Sequence, residues 1–246
     1  MRIAVISDIH GNIAALDAVL ADVAGRAVDR IVNLGDICSG GLFPAETVDR
    51  LIPLALPTIR GNHERQLVTL SRERMGESDL YSARHLRADQ LQWLAELPAS
   101  LRVEKDLLLV HGTPDSDLAC FLETVTDKGI RPATLDEVEQ RARDIAASVI
   151  LCGHTHLPRA VRLADGRLIV NPGSVGLPAY REDHPFPHVV ENGSPHARYA
   201  IVTRAGGRWS ADLLAVAYDW AGAARDAAAH GRADWAHALL TGRVGA

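Results

Sequence analysis

Met1-Arg-Ile-Ala-Val-Ile-Ser-Asp-Ile-His-Gly-Asn12 decides how the rest of the chain is read. Arg2 to Ile6 is a short β-branched run of the kind that makes a fully buried strand in an α/β protein. Asp8 and His10 follow at once, then Gly11, then Asn12, whose side chain suits the cap of a helix beginning near Ile13. On an extended segment residues i and i+2 point the same way, so Asp8 and His10 are expected to aim at one spot beyond the strand end. Open α/β sheets place their ligands there, and a carboxylate beside an imidazole can hold a divalent cation. A strand–turn–helix with two chance polar residues fits those twelve positions equally well. The choice depends on whether later segments bring more ligands to the same place.

Working outward, Ile13 to Arg26 carries apolar residues at helical spacing, and Arg30 to Leu34 is a second β-run ending in Gly35-Asp36. Ala45 to Leu54 reads as a second helix stopped by Pro53 and Pro57, and Pro57 to Arg60 as a third strand ending in Gly61-Asn62-His63-Glu64. This βαβαβ order predicts a parallel sheet with right-handed crossovers. Residues 65 to 98 read as helical, and Leu101 to Val110 as a hairpin whose second strand delivers His111-Gly112. Asp115 to Ala146 reads as mostly helical, and Ser148 to Cys152 as a buried strand ending in Gly153-His154-Thr155-His156. Antiparallel patterns follow at Arg159 to Leu163, Leu168 to Asn171, Tyr199 to Thr203 and Trp209 to Leu214. Pro178 to Pro195 reads as a surface loop. With no repeat or low-complexity linker, 1–246 is expected to be a single domain, with 219–242 a C-terminal helical extension.

Composition excludes several functions. At 47% hydrophobic and 23% charged residues the chain reads as an ordinary soluble protein. No apolar run approaches the ~20 residues of a membrane span, and no signal-peptide pattern opens it, so a cytoplasmic location is expected. A net charge of -5 gives no footprint for duplex nucleic acid. Cys38, Cys120 and Cys152 fit free thiols in a reducing compartment.

Five strand-end clusters then stand out: Asp8-x-His10, Gly35-Asp36, Gly61-Asn62-His63-Glu64, His111-Gly112 and Gly153-His154-Thr155-His156. They offer oxygen and imidazole nitrogen but no sulfur, a set that suits Mn, Fe, Ni or Zn. Seven candidates (Asp8, His10, Asp36, Asn62, His111, His154 and His156) are more than one ion can use. Two ions about 3.5–4 Å apart need a bridging carboxylate, and Asp36 is the natural one.

The ordered blocks Asp-x-His, Gly-Asp, Gly-Asn-His-Glu, His-Gly and Gly-His-x-His resemble the calcineurin-like metallophosphoesterase family over residues 1 to roughly 175. Asn171-Pro172-Gly173-Ser174-Val175-Gly176 resembles its small bacterial and archaeal branch. The resemblance implies an α/β fold built as a four-layer α/β/β/α sandwich. It implies one metal held by Asp8, His10, Asp36 and His156, and a second held by Asp36, Asn62, His111 and His154. His63 would be the acid near the leaving group. Asn12, Arg60, Asn171 and Ser174 are weaker candidates for supporting ligands or touching substrate.

The chemistry agrees with these residue types. Two cations can neutralise phosphate oxygens and ionise a bridging water for in-line attack, and an imidazole can protonate the departing oxygen. The expected activity is therefore hydrolysis of a small-molecule phosphoester, with Asp36 and His63 catalytic. Alternatives are a phosphoprotein or dinucleoside-polyphosphate phosphatase, and, more distantly, a non-catalytic scaffold of the same fold. One departure weighs on the choice. Where the protein phosphatase branch has Asp-Arg-Gly, this chain has Ser39-Gly40-Gly41, so the carboxylate that orients the acid histidine and the arginine that clamps phosphate are both expected to be missing.

Overall fold

The computed structural model describes residues 1–245. Strand β1 (Arg2–Ile6), helix α1 (Ile13–Ala24), strand β2 (Arg30–Asn33) and helix α2 (Pro44–Leu51) open the chain. Helices α3 (Asn62–Thr69), α4 (Glu77–His85) and α5 (Ala88–Glu96) follow. Next come β3 (Ser100–Glu104), β4 (Leu107–Val110), β5 (Glu123–Thr126), β6 (Gly129–Pro132), α6 (Leu135–Arg141) and β7 (Val149–Leu151). Strands β8 (Arg159–Arg162), β9 (Leu168–Asn171), β10 (Ala179–Glu182) and β11 (His188–Glu191) lead to the long pair β12 (Ala197–Ala205) and β13 (Arg208–Val216). Helices α7 (Trp220–Ala229) and α8 (Ala233–Thr241) close it.

Two sheets carry the fold, ordered β13-β12-β1-β2 and β3-β4-β7-β9-β8. The alternation along β1 shows how they stack. Ile3 and Val5 pack between the sheets, against Leu107, Leu109, Val149 and Val170. Ala4 and Ile6 point the other way, into Leu16, Val19 and Val48 of α1 and α2. The outer face of the second sheet, with Leu108, Val110 and Ile150, is covered by Phe121, Leu122 and Val138. This is the α/β/β/α sandwich, and burial on both faces is why β1 reads as an unbroken apolar run. The pairs β1–β2, β4–β7 and β7–β9 are parallel, so within each sheet their polar turns share one edge.

Three expectations are corrected. The third strand shrinks to one bridge, Asn33 to Thr58, because Pro57 has no N–H and Arg60 donates its own to the Pro98 carbonyl. Residues 115–146 are not mostly helical: β5 and β6 form a hairpin and only α6 is a helix. Thr124-Val125-Thr126 and the turn at Gly129 (φ 103°) carry that signal. Residues 178–195 are a hairpin, β10 paired with β11, in which His188 and Val190 are buried and Val189 and Glu191 exposed. Helices α7 and α8 form as expected; Ala223, Ala224 and Ala227 allow close packing with Trp235, Leu239 and Leu177. Among the described residues no helix is long and apolar enough to cross a membrane.

Candidate metal centre

The turns after the strands are not extended. Asp8, His10, Asp36, His154 and His156 all have φ between 52° and 69°, a left-handed conformation that non-glycine residues rarely adopt. Backbone hydrogen bonds between turns hold them there. Asp8 N–H donates to Gly35 O (3.0 Å), His10 N–H to Asp36 O (3.0 Å) and Gly153 N–H to His111 O (2.7 Å). Asp8 and His10 therefore converge as the sequence suggests, but through strained turns rather than strand alternation. Such strain persists only where the surrounding structure over-determines it, as it does here.

These turns bring the seven candidates together. Asp8, His10 and His156 form one group and Asp36, His111 and His154 another, with one ligand atom per residue within 4.8 Å of the others. Asn62 Oδ1 lies 3.2 Å from His111 Nε2 and 3.1 Å from His154 Nδ1.

The donor set can be tested for a cation. Each histidine gives one nitrogen to a backbone carbonyl: His10 Nδ1 to Ser39 O (2.7 Å), His156 Nδ1 to Leu177 O (2.7 Å), His111 Nδ1 to Leu34 O (2.8 Å) and His154 Nε2 to Leu118 O (3.0 Å). A carbonyl only accepts, so those nitrogens carry the protons and the others, in a neutral ring, present lone pairs. The lone pairs face more acceptors. His10 Nε2 is 3.0 Å from His156 Nε2, and His111 Nε2 is 3.1 Å from Asp36 Oδ2. Asp8 Oδ2 is buried without a hydrogen-bond partner.

Protonation relieves only part of this. Burial disfavours a charged His111, but Asp36 outweighs it and lifts its pKa to about 10. For His10, burial and the neighbouring His156 push it down to about 3, so that ring stays neutral. Burial would raise the Asp36 carboxyl, yet His111 and His63 hold it well below the usual range. A buried ring of acceptors and anions of this kind fits divalent cations with mixed nitrogen and oxygen ligands.

Two residues that sequence reasoning left without a role support the centre. Glu64 fastens the Asp36 turn: its Oε2 accepts the N–H groups of Asp36 and Gly61 (2.8 Å each) and its Oε1 that of Ile37 (2.8 Å). The three-residue spacing of Gly61 and Glu64 at a helix start was its legible signal. The second is Asp79 of α4. Its Oδ1 accepts from His63 Nδ1 at 2.6 Å and from Ser39 Oγ at 2.5 Å. The expectation that no carboxylate orients His63 is thus overturned. Asp79 occupies that place from a different part of the chain, and no local pattern marks it. Burial opposes charge on His63, but Asp36, Asp79 and Glu64 together raise its pKa to about 9.

The weaker candidates bond to protein rather than to the open site. Asn12 caps α1 through Ala15 N–H and donates to Gly176 O. Asn171 donates to Gly153 O and Thr155 Oγ1 and accepts from Gly173 N–H. Ser174 Oγ donates to Asp8 O and accepts from Leu177 N–H. All three are buried and tie the ligand-bearing turns together. Arg60 reaches the Leu97 carbonyl (3.4 Å), away from the centre. Over the centre opens a cavity of about 1000 Å³ whose floor includes His10, Asp36, Asn62, His63, His154 and His156.

Residues 1–190 match the calcineurin-like phosphoesterase superfamily domain. The chain belongs to this superfamily. An uncharacterized protein of Methanocaldococcus jannaschii is 28% identical over 200 residues, covering 72% of this chain and 76% of that one. A metallophosphoesterase crystal structure from Sphaerobacter thermophilus superimposes with a TM-score of 0.75 at 25% identity, covering 98% of this chain and 100% of that one. A hypothetical protein from Pyrococcus horikoshii OT3 shares the fold at a TM-score of 0.78 and 18% identity, over 99% of each chain. These alignments place α7 and α8 within the shared fold of this phosphoesterase and its structural relatives.

Proposed function

We propose that this calcineurin-like phosphoesterase is a dinuclear-metal-dependent hydrolase of phosphodiester or phosphomonoester bonds in small molecules. One observation carries the proposal: four imidazoles each give one nitrogen to a backbone carbonyl and turn the other inward, toward an acidic or amide oxygen or another imidazole. In this reading Asp8, His10 and His156 hold one divalent cation (Mn, Fe, Zn or Ni), Asn62, His111 and His154 hold the second, and Asp36 serves both. When bound, the pair supplies Lewis acidity that neutralises phosphoryl oxygens and makes water nucleophilic near neutral pH.

The chain's own residues supply the rest. His63 delivers the proton the departing oxygen needs, from Nε2, because Nδ1 is held by Asp79. Asp79 orients the ring and favours its protonated form. Glu64 keeps the Asp36 turn from relaxing, and the cavity admits the ester group. Metal analysis of the purified protein, followed by hydrolysis of p-nitrophenyl phosphate and bis(p-nitrophenyl) phosphate with added Mn, tests this. Turnover that chelation abolishes and metal restores is expected. Metal-loaded protein that turns over neither ester would overturn it.

A further inference from the structure

The cavity over the candidate metal centre, at about 1000 Å³, is far larger than one phosphoryl group requires. It lies at the top of the roughly 300–1,000 Å³ range of sites that enclose drug-sized ligands. Its carboxylates and arginines can be accounted for one by one. Asp36 and Asp79 face the histidines. Arg232 is held by Asp234 in a two-pronged ion pair (2.7 and 3.0 Å), lies 3.6 Å from Glu77 and donates to Ser78 Oγ. Glu182 accepts the N–H groups of Asp183 and His184.

Two guanidinium groups are left over. Arg74, at the end of the 3-10 turn Arg72–Arg74, and Arg181 of β10 both line the cavity. Both are solvent-exposed at the cavity wall, and among the described residues neither side chain has a hydrogen-bond or ion-pair partner. They sit on unrelated elements, one beyond α3 and the other on the β10–β11 hairpin. Among the described residues no lysine lines this cavity.

From this accounting we propose that Arg74 and Arg181 form an anion subsite for a second phosphoryl group of the substrate, distinct from the one that is cleaved. The inference rests on the phosphoesterase reading. In that reading the scissile phosphate would sit over the floor formed by Asp36, Asn62 and the histidines, and cations held there would neutralise it. A guanidinium presents a rigid fork of donors that matches a phosphate dianion, and two such forks with no partner in the same cavity match an anion that arrives with the substrate. The substrate class is thus a bisphosphorylated small molecule, not a simple ester.

The test compares two esters that differ only in that second group: the p-nitrophenyl ester of thymidine 5′-phosphate and its 3′-phosphorylated counterpart. A charge-assisted contact of ordinary strength gives a preference of about tenfold or more in kcat/KM for the bisphosphate. Arg74→Gln and Arg181→Gln should each lower that ratio, and the double variant should bring it to about one. Calorimetric binding of thymidine 3′,5′-bisphosphate against thymidine 5′-phosphate should show the same ratio without turnover. Equal use of both esters by the wild-type protein would overturn the subsite and leave the phosphoesterase reading standing. A preference that survives the double substitution would overturn the assignment to these arginines. Hydrolysis of neither ester by metal-loaded protein that turns over p-nitrophenyl phosphate or its bis ester would overturn the subsite alone, and failure on all four esters would overturn both readings.

Discussion

Replacing Asp79 by Asn isolates the contact through which the proposed acid, His63, would hold its proton. The His63 Nδ1 to Asp79 Oδ1 distance is 2.6 Å, with the carboxylate buried and the imidazole partly exposed. Hydrogen bonds to a charged partner contribute about 1.5–3 kcal/mol, and each 1.36 kcal/mol is a factor of ten in rate. Asp79→Asn keeps the shape but removes the charge, so the acid step should slow by about ten- to hundredfold. Because Asp79 reaches the acid step through the proton on His63, the loss should depend on the leaving group. An alkyl or phenyl ester should lose the full factor, whereas a p-nitrophenyl ester, whose leaving group departs without protonation, should lose at most a few-fold. Metal content by mass spectrometry should not change. In a His63→Ala background the second substitution should cost nothing further, since the two residues act as one unit. Equal losses on both leaving groups, or loss of metal from Asp79→Asn, would refute this reasoning and make Asp79 merely structural.

Metal binding should be linked to protons: burial lowers His111 but Asp36 outweighs it to about 10, while His10 and His154 sit at about 3 and 4 and are neutral at pH 7. His111 must therefore shed a proton when it ligates, so affinity rises with pH up to about 10, and titrations in buffers of different ionisation enthalpy should show about one proton released at pH 7; no release would contradict the His111–Asp36 pairing. Glu64→Gln turns one acceptor into a donor facing backbone N–H groups, which should cost about 1–3 kcal/mol, or roughly 2–10 °C in Tm, with weaker metal retention. Unchanged calorimetric Tm would show that the Asp36 turn does not need it. A Cβ added at Gly61 overlaps Asp36 Oδ1, so Gly61→Ala should fold, by circular dichroism, yet lose metal. Full metal content in that variant would mean Asp36 is not held as described.

The seven ligand candidates and the buried strands that carry them are legible in the chain itself, because both leave local marks, whereas the sandwich was implied by the family resemblance. A strand buried on both faces must be apolar throughout, as Arg2–Ile6 nearly is, and a ligand at its end must be followed by residues that can turn sharply. The same locality explains Glu64, three residues beyond Gly61. Hairpins at 123–132 and 179–191 were partly hidden by Pro, His and charged residues that resemble loop composition, yet their buried faces seat them against the core or the cavity.

Other features have no local mark. The left-handed turns at Asp8 and His10 exist only because neighbouring turns bond to them across the sheet. Asp79 reaches His63 because α4 docks against α3, sixteen residues away, and a docking angle leaves no periodicity to read. The unpaired state of Arg74 and Arg181 likewise depends on which acids found other partners. Sequence alone marked the candidate ligands and the buried strands before them, since burial and turn chemistry act residue by residue. Only tertiary structure decided which carboxylate meets His63 and which arginines are left without a partner, because those are contests between groups far apart in the chain.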